Sequence, residues 1–179
     1  MTPDEPQDPA AERIWAPWRI GYVKKAAVPD TGEDCIFCTK PVAAEAAGAE
    51  GDRENLIVHR GTHCFVMLNL YPYTSGHLMV APFGHVASLP ALEAAAATEM
   101  MALTQRSISV LEKTHTPHAF NVGMNQGRAA GAGVEHHIHM HVVPRWNGDN
   151  NFMPVLADTR VIPQDLDQTW QLINEEFTS

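Results

Sequence analysis

The chain has no apolar run close to the roughly 20 residues that a helix needs to cross a bilayer, so a membrane is not an expected partner. Positive charge is also scarce. Twelve Lys and Arg stand against 21 Asp and Glu, a formal net charge of -9 at pH 7. A general nucleic-acid surface requires a basic surplus, so nucleic acid is not an expected partner either. One anionic ligand remains compatible, because a single site needs only local donors. Cysteine is rare: three residues, an odd number, which argues against a framework built purely of disulfides. The opening MTPDEPQDPAAER lacks the basic region and apolar stretch of a signal peptide, and a cytoplasmic location is expected. Internal repeats are absent, and nothing marks a second domain.

What is present reads as one globular domain. The apolar fraction is 45% and the charged fraction 18%, and 179 residues suffice for a sizeable core. Residues 1–13 are acidic and Pro-rich and read as a disordered tail; residues 14–179 read as the domain. Residues 14–22, with Trp15, Trp18 and Arg19, are expected to pack on it. Residues 41–53 read as a loop or short helix. Short β-branched and apolar runs predict strands at 55–58, 63–68, 77–81, 120–124 and 136–144. A helix is predicted from Pro90 to Lys113. Pro90 suits its first turn, and Met101, Ile108 and Leu111 form an apolar stripe widened by Met100, Leu103 and Val110. A second helix is predicted from Pro163 to Phe177, with Leu166, Trp170, Ile173 and Phe177 on one face. Clustered strands with one long helix between them imply an α+β domain with a mainly antiparallel sheet.

The most informative segment is HHIHMHVVPRW, residues 136–146. His137, His139 and His141 alternate with Ile138, Met140 and Val142, which on a strand puts three imidazoles on one face and three apolar side chains on the other. The apolar face explains itself as core. The histidine face does not, because adjacent imidazoles repel when protonated and each needs hydrogen-bond partners. Chance histidine richness fits poorly with strict alternation inside the chain. Two chemical readings remain. The three imidazoles can surround one metal. Alternatively, one is a nucleophile, for which a neutral histidine with a reference pKa of about 6.5 is competent, and its neighbours handle protons and ligand charge.

The segment His137-Ile138-His139-Met140-His141-Val142-Val143 resembles the motif of the histidine triad family. Gly76-His77-Leu78-Met79-Val80 is similar to that family's Gly-His strand, and Asn125-Gln126-Gly127 to its nucleotide-contacting turn. The similarity covers roughly residues 35–155. The Pro144-Arg145 continuation resembles the fragile-histidine-triad and diadenosine polyphosphate branch, and the IWAPWR, LNLYPYTSGHLMV and HVVPRWNGD segments resemble bacterial diadenosine tetraphosphate phosphorylase-like members.

The resemblance implies a histidine triad fold, a homodimer and a nucleotide substrate. The implied reaction is cleavage at the α-phosphate of an adenine nucleotide derivative, expected to be a diadenosine polyphosphate that arrives with Mg²⁺. His139 would attack phosphorus, its other ring nitrogen held by the His137 carbonyl. His141 would contact the phosphate and assist the leaving group. Asn69 would bind ribose, Asn125 phosphate or ribose, and His77 would support the triad. Many members carry Ser or Gln as a phosphate donor just before the first histidine. Residues 128–135, RAAGAGVE, have neither, which leaves Arg128, Gln126 or backbone amides as the candidate substitutes. His141 in place of Gln tilts the expectation towards hydrolysis, while the flanking segments point to a phosphate-dependent phosphorylase. A nucleotide-binding regulatory module with slow turnover is the reading from another class.

Cys35-Ile36-Phe37-Cys38 is a CxxC pair, which alone indicates a redox dithiol, half a zinc site or coincidence. No βαβ pattern surrounds it, which disfavours the dithiol. By the same resemblance, His85 and His137 would complete a closed structural zinc site. His137 would then be a ligand that fixes the strand carrying His139. His136 competes for that place but points to the opposite face of a strand. Cys64 has no partner and reads as a small buried residue.

Overall fold

The computed structural model describes residues 34–45, 47–149 and 165–179. The expected tail, the aromatic segment 14–22 and the first residues of the expected last helix lie outside them. In chain order the elements are α1 (Ile36–Glu45), α2 (Gly48–Glu54), β1 (Ile57–Arg60), β2 (Cys64–Leu68), β3 (Leu78–Pro82), α3 (Ala94–His115), β4 (Ala119–Gly123), β5 (Met140–Arg145) and α4 (Leu166–Thr178). The five strands form one sheet in the order β1-β2-β3-β5-β4, and every neighbouring pair is antiparallel. This is the expected α+β class.

The period of two in each strand divides the apolar residues between two cores. Cys64, Val66, Leu68, Leu78, Val80, Met140 and Val142 face the main core with Met100, Leu103, Val110 and Leu111 of α3 and Trp170, Ile173 and Phe177 of α4. Phe65, Met67, Met79 and Ala81 face the other way, against Cys35, Phe37 and Ala44 at α1. A sheet buried on both faces explains why every residue of β2 and β3 is buried. Trp170 donates its indole N–H to the Ile57 carbonyl at 2.8 Å, which anchors α4 to β1. Asp165 caps α4 by accepting from the Gln168 backbone N–H.

Of the loop or short helix expected over residues 41–53, the chain takes the helical form, as α1 and α2 with Pro41 buried inside α1. Other boundaries differ from expectation. Pro90 does not open α3. It lies in a separate 3-10 turn, Leu89–Ala91, and an extended Leu92 separates that turn from Ala94. Met101 is 52% exposed and leaves the expected stripe. The buried face of α3 is instead Ala96, Met100, Leu103, Thr104, Ser107, Val110 and Leu111. Thr104 and Ser107 hid this face in the sequence. Thr104 satisfies its hydroxyl by donating to the Met100 carbonyl at 2.7 Å, so a polar side chain is tolerated there.

The strand expected from His136 begins only at Met140. Its ladder with β3 covers Leu78↔Val142, Met79↔His141 and Val80↔Met140. Upstream, the Ile138 N–H donates instead to the Val86 carbonyl at 2.7 Å, beyond the end of β3. The alternation survives this departure. Ile138, Met140 and Val142 are in the main core, while His137 and His139 are buried away from it. All three triad histidines therefore share the sheet face that α1 covers.

Candidate functional site

Two backbone carbonyls and one backbone N–H fix the site's polarity. A carbonyl can only accept and an amide N–H can only donate, so each assigns a tautomer to the imidazole that it touches.

His139 Nδ1 lies 2.8 Å from the His137 carbonyl and must donate to it. In the neutral ring the other nitrogen, Nε2, then carries the lone pair. Burial lowers the His139 pKa below the ordinary value of 6.5, against the raising effect of the His137 carbonyl, so the ring is neutral at pH 7. The geometry expected of a nucleophile, a carbonyl behind and a lone pair in front, is present.

His77 is fully buried on the segment entering β3. Its Nδ1 accepts from the Tyr73 backbone N–H at 3.2 Å and lies 3.3 Å from Asn69 Nδ2. His77 Nε2 therefore carries the hydrogen and donates to His141 Nδ1 at 3.0 Å. That in turn leaves the hydrogen of His141 on Nε2. Burial, followed by the neighbouring His139, pushes the His141 pKa down to about 4. A neutral His141 is thus held as a hydrogen-bond donor by a chain that starts at a backbone amide.

The loop that supplies this amide is pinned. Tyr71 N–H donates to Asn69 Oδ1 at 2.9 Å, and Thr74 Oγ1 donates to the Pro144 carbonyl at 2.8 Å. Gly76 has φ +76°, and a Cβ there would come within 2.9 Å of Leu111, so the turn before His77 requires glycine. The Tyr73 ring lies against His77 at 4.6 Å between centroids and stacks on His141 at 6.1 Å. Sequence reasoning missed Tyr73, because its contribution through the backbone N–H is independent of residue type.

His137 belongs to a different cluster. Its Nε2 donates to the Pro82 carbonyl at 2.9 Å, so Nδ1 carries the lone pair. That lone pair faces Cys35 Sγ at 3.4 Å and Cys38 Sγ at 3.5 Å. His85 Nδ1 lies 3.3 Å from Cys38 Sγ. The donor atoms of Cys35, Cys38, His85 and His137 all lie within 4.8 Å of one another and can hold a metal ion. Burial pushes the Cys35 thiol up to about 11, which describes the pocket without a cation. A divalent ion at the centre reverses that preference and makes both sulfurs thiolates. His136 is not part of this cluster; it lies 3.3 Å from Glu135. Cys64 is buried, bonded to the Ala96 carbonyl through its thiol, and pushed up to about 12 mainly by burial. It is the small buried residue that the sequence suggested.

The remaining expected binders are less convergent. Asn69 is fixed by the contacts above. Asn125 is half-buried in the segment after β4. Gln126 accepts from the Leu89 N–H at 2.9 Å, which ties this segment to the turn before α3. Arg128 pairs with Glu135 at 3.1 Å across the Gly-rich turn. This pair occupies the guanidinium that was a candidate phosphate donor.

Among the described residues no helix is long and apolar enough to cross a membrane. Comparison with known proteins places these features in context. The HIT domain family matches residues 50–148. The chain is 40% identical over 166 residues to a protein of Mycobacterium tuberculosis named AP-4-A phosphorylase, covering 93% of this chain and 84% of that one. A Zn-bound histidine triad family protein from Mycobacterium smegmatis superposes with a TM-score of 0.61 at 27% identity, over 81% of this chain and 94% of that one. A hypothetical histidine triad nucleotide-binding protein from Sulfolobus tokodaii shares the fold, with a TM-score of 0.62 at 20% identity over 80% and 92% of the two chains. With its His-x-His-x-His segment, its sheet order and the extent of these matches, this chain belongs to the histidine triad (HIT) family.

Proposed function

We propose that this protein is an enzyme that cleaves a diadenosine polyphosphate at an α-phosphate, through a covalent nucleotidyl-histidine on His139. The observation that carries this reading is the His139 Nδ1–H···O=C bond to His137, because it leaves Nε2 unprotonated and buried beside a donor, His141.

In the first step His139 Nε2 attacks the α-phosphorus. The bond to the bridging oxygen breaks, and the leaving nucleotide departs with the electron pair. His141 Nε2–H is the group that steadies that oxygen, while His77 and Tyr73 N–H hold His141 in the donating tautomer. In the second step an acceptor oxygen attacks the phosphoramidate and returns the lone pair to His139. Neutral imidazoles suit both steps, since a charged His139 could not attack. Backbone N–H groups of the turn from Gly127 to Val134 are the candidate donors to the phosphoryl oxygens, with Asn69 at the ribose and Asn125 at phosphate or ribose. Mg²⁺ would accompany the substrate's polyphosphate.

Inorganic phosphate is the favoured acceptor, on the 40% identity to a protein named for phosphorolysis. Hydrolysis is the alternative. Diadenosine tetraphosphate with Mg²⁺, incubated with and without inorganic phosphate, separates them. ADP and ATP formed only with phosphate identify a phosphorylase. AMP and ATP formed without phosphate identify a hydrolase. Absence of both in either condition would overturn the reading and favour a binding module.

Zinc is the metal that best fits the four-residue cluster, since two thiolates and two imidazoles form a closed tetrahedral set. It would hold α1 to the segment before β5 and take no part in the chemistry. The alternative of a catalytic metal held by all three triad histidines has no support in the donor directions, because only His137 turns its lone pair to the cluster. A homodimer is proposed to pair through β4, one of the two outer strands, whose side chains are largely exposed.

A further inference from the structure

The two residues between the cysteines differ in burial. Phe37 is 1% exposed, although the neighbouring Ile36 is 39% exposed. The turn opening α1, in which Cys38 N–H and Thr39 N–H both donate to the Cys35 carbonyl, sends the two sulfurs to the metal cluster and the intervening ring to the triad. The Phe37 ring lies 4.6 Å from the His139 ring at an interplanar angle of 32°, and 5.2 Å from His137 at 48°.

We propose that Phe37 is a positioning residue for the nucleophile, a flat wall built into the metal-binding turn that holds the His139 ring in its attacking orientation. The histidine χ2 torsion is broad, so one hydrogen bond at Nδ1 leaves the ring free to rock about that bond. Three contacts remove this freedom. The His137 carbonyl fixes the edge, Phe37 covers one face, and His141 meets the ring edge-on at 4.8 Å and 75°. Two of these three contacts are held by the metal cluster, since His137 is a ligand of it and Phe37 is flanked by two more. The metal would therefore act on the nucleophile through a side-chain face as well as through the segment that bears it. This inference rests on the proposed role of His139.

The test compares wild type with Phe37→Leu, which keeps an apolar side chain but loses the flat face, and Phe37→Ala as the more severe variant. Zinc content and melting temperature establish that Phe37→Leu is folded and loaded. Imidazole ¹⁵N spectra of the resting protein report the hydrogen on His139 Nδ1. Rapid-quench kinetics report the rate of nucleotidyl-enzyme formation. The expected result for Phe37→Leu is full zinc, unchanged KM, a nucleotidylation rate lower by about 10- to 100-fold, and a weakened or averaged Nδ1–H signal. An unchanged rate and an unchanged spectrum would overturn the inference. So would loss of zinc from Phe37→Leu, which assigns Phe37 to the metal turn alone, or a raised KM with an unchanged rate, which makes it a wall for the nucleotide. If wild type itself forms no nucleotidyl-enzyme, the function reading fails, and the spectra still decide whether Phe37 orients His139.

Discussion

His137, His139 and His141 are spaced two residues apart, and their rings are held by three different hydrogen-bonding patterns. His139 donates from Nδ1 to a carbonyl, His141 accepts at Nδ1 from His77, and His137 donates from Nε2 and turns Nδ1 to the cysteines. Replacing His77 by Phe keeps the volume and stacking but removes the donor to His141. The expected result is a kcat lower by about 10- to 100-fold for nucleotide leaving groups, with a smaller loss for a leaving group that needs no hydrogen bond. Equal losses for both would show that His77 serves stability alone. The depressed pKa of His141 also predicts a pH dependence of stability. Between its ordinary value of 6.5 and its folded value of about 4, the unfolded chain binds a proton that the folded chain refuses. Stability is present above pH 6.5 and is lost as the pH falls towards 4, by up to about 3 kcal/mol from this residue. His141→Asn should lose less over that interval in denaturant titrations; an identical loss would place the titration elsewhere. Spacing alone exposed the triad in the sequence. The family resemblance, rather than spacing, assigned His139 to the His137 carbonyl and His137 to the cysteines; the Pro82 carbonyl behind His137 and the Tyr73 N–H behind His77 carried no signal, because any residue type would supply them.

At the level of elements, the site is carried by a sheet covered on both faces. Helices α3 and α4 build the main core on one side, and α1 brings the turn with Cys35 and Cys38, which can hold a metal, to the other. The two sides should be separable by mutation. Ile173 of α4 is fully buried in the main core, and Ile173→Ala should lower stability by about 3 kcal/mol while leaving zinc content and kcat unchanged at a temperature where the protein is folded. A matching fall in kcat would mean that the faces are coupled through the strands. The strand runs and the α4 stripe were readable because β-branched residues and Trp170, Ile173 and Phe177 follow the periods of their elements. The α3 stripe was misread by including Met101, because the buried positions Thr104 and Ser107 are polar and carry no apolar signal. Residues 41–53 were also hard to place, since Ala, Gly and charge fit a loop as well as two short helices. The β5 boundary was misplaced because His136 to His139 keep strand alternation while the Ile138 N–H leaves the ladder for Val86.

For the whole molecule, three separate segments meet at the candidate metal cluster: the turn opening α1, the segment after β3 that carries His85 and the segment before β5 that carries His137. Chelation should therefore do more than remove an ion. Removing zinc is expected to lower the melting temperature and to abolish nucleotidylation together, with both restored on readdition. Loss of activity with an unchanged melting temperature would instead indicate a metal at the reacting centre. Charge at this scale is compatible with the small-ligand reading: a net -9 argues against an extended basic surface, and a single anion site needs only local donors.

The most direct test of the central claim is to mix the enzyme with diadenosine tetraphosphate, quench within one turnover, and map the modified peptide by mass spectrometry. The account predicts an AMP adduct on His139 that disappears on adding the acceptor and is absent from His139→Asn, which still binds nucleotide. An adduct on another residue, or turnover persisting in His139→Asn, would contradict it.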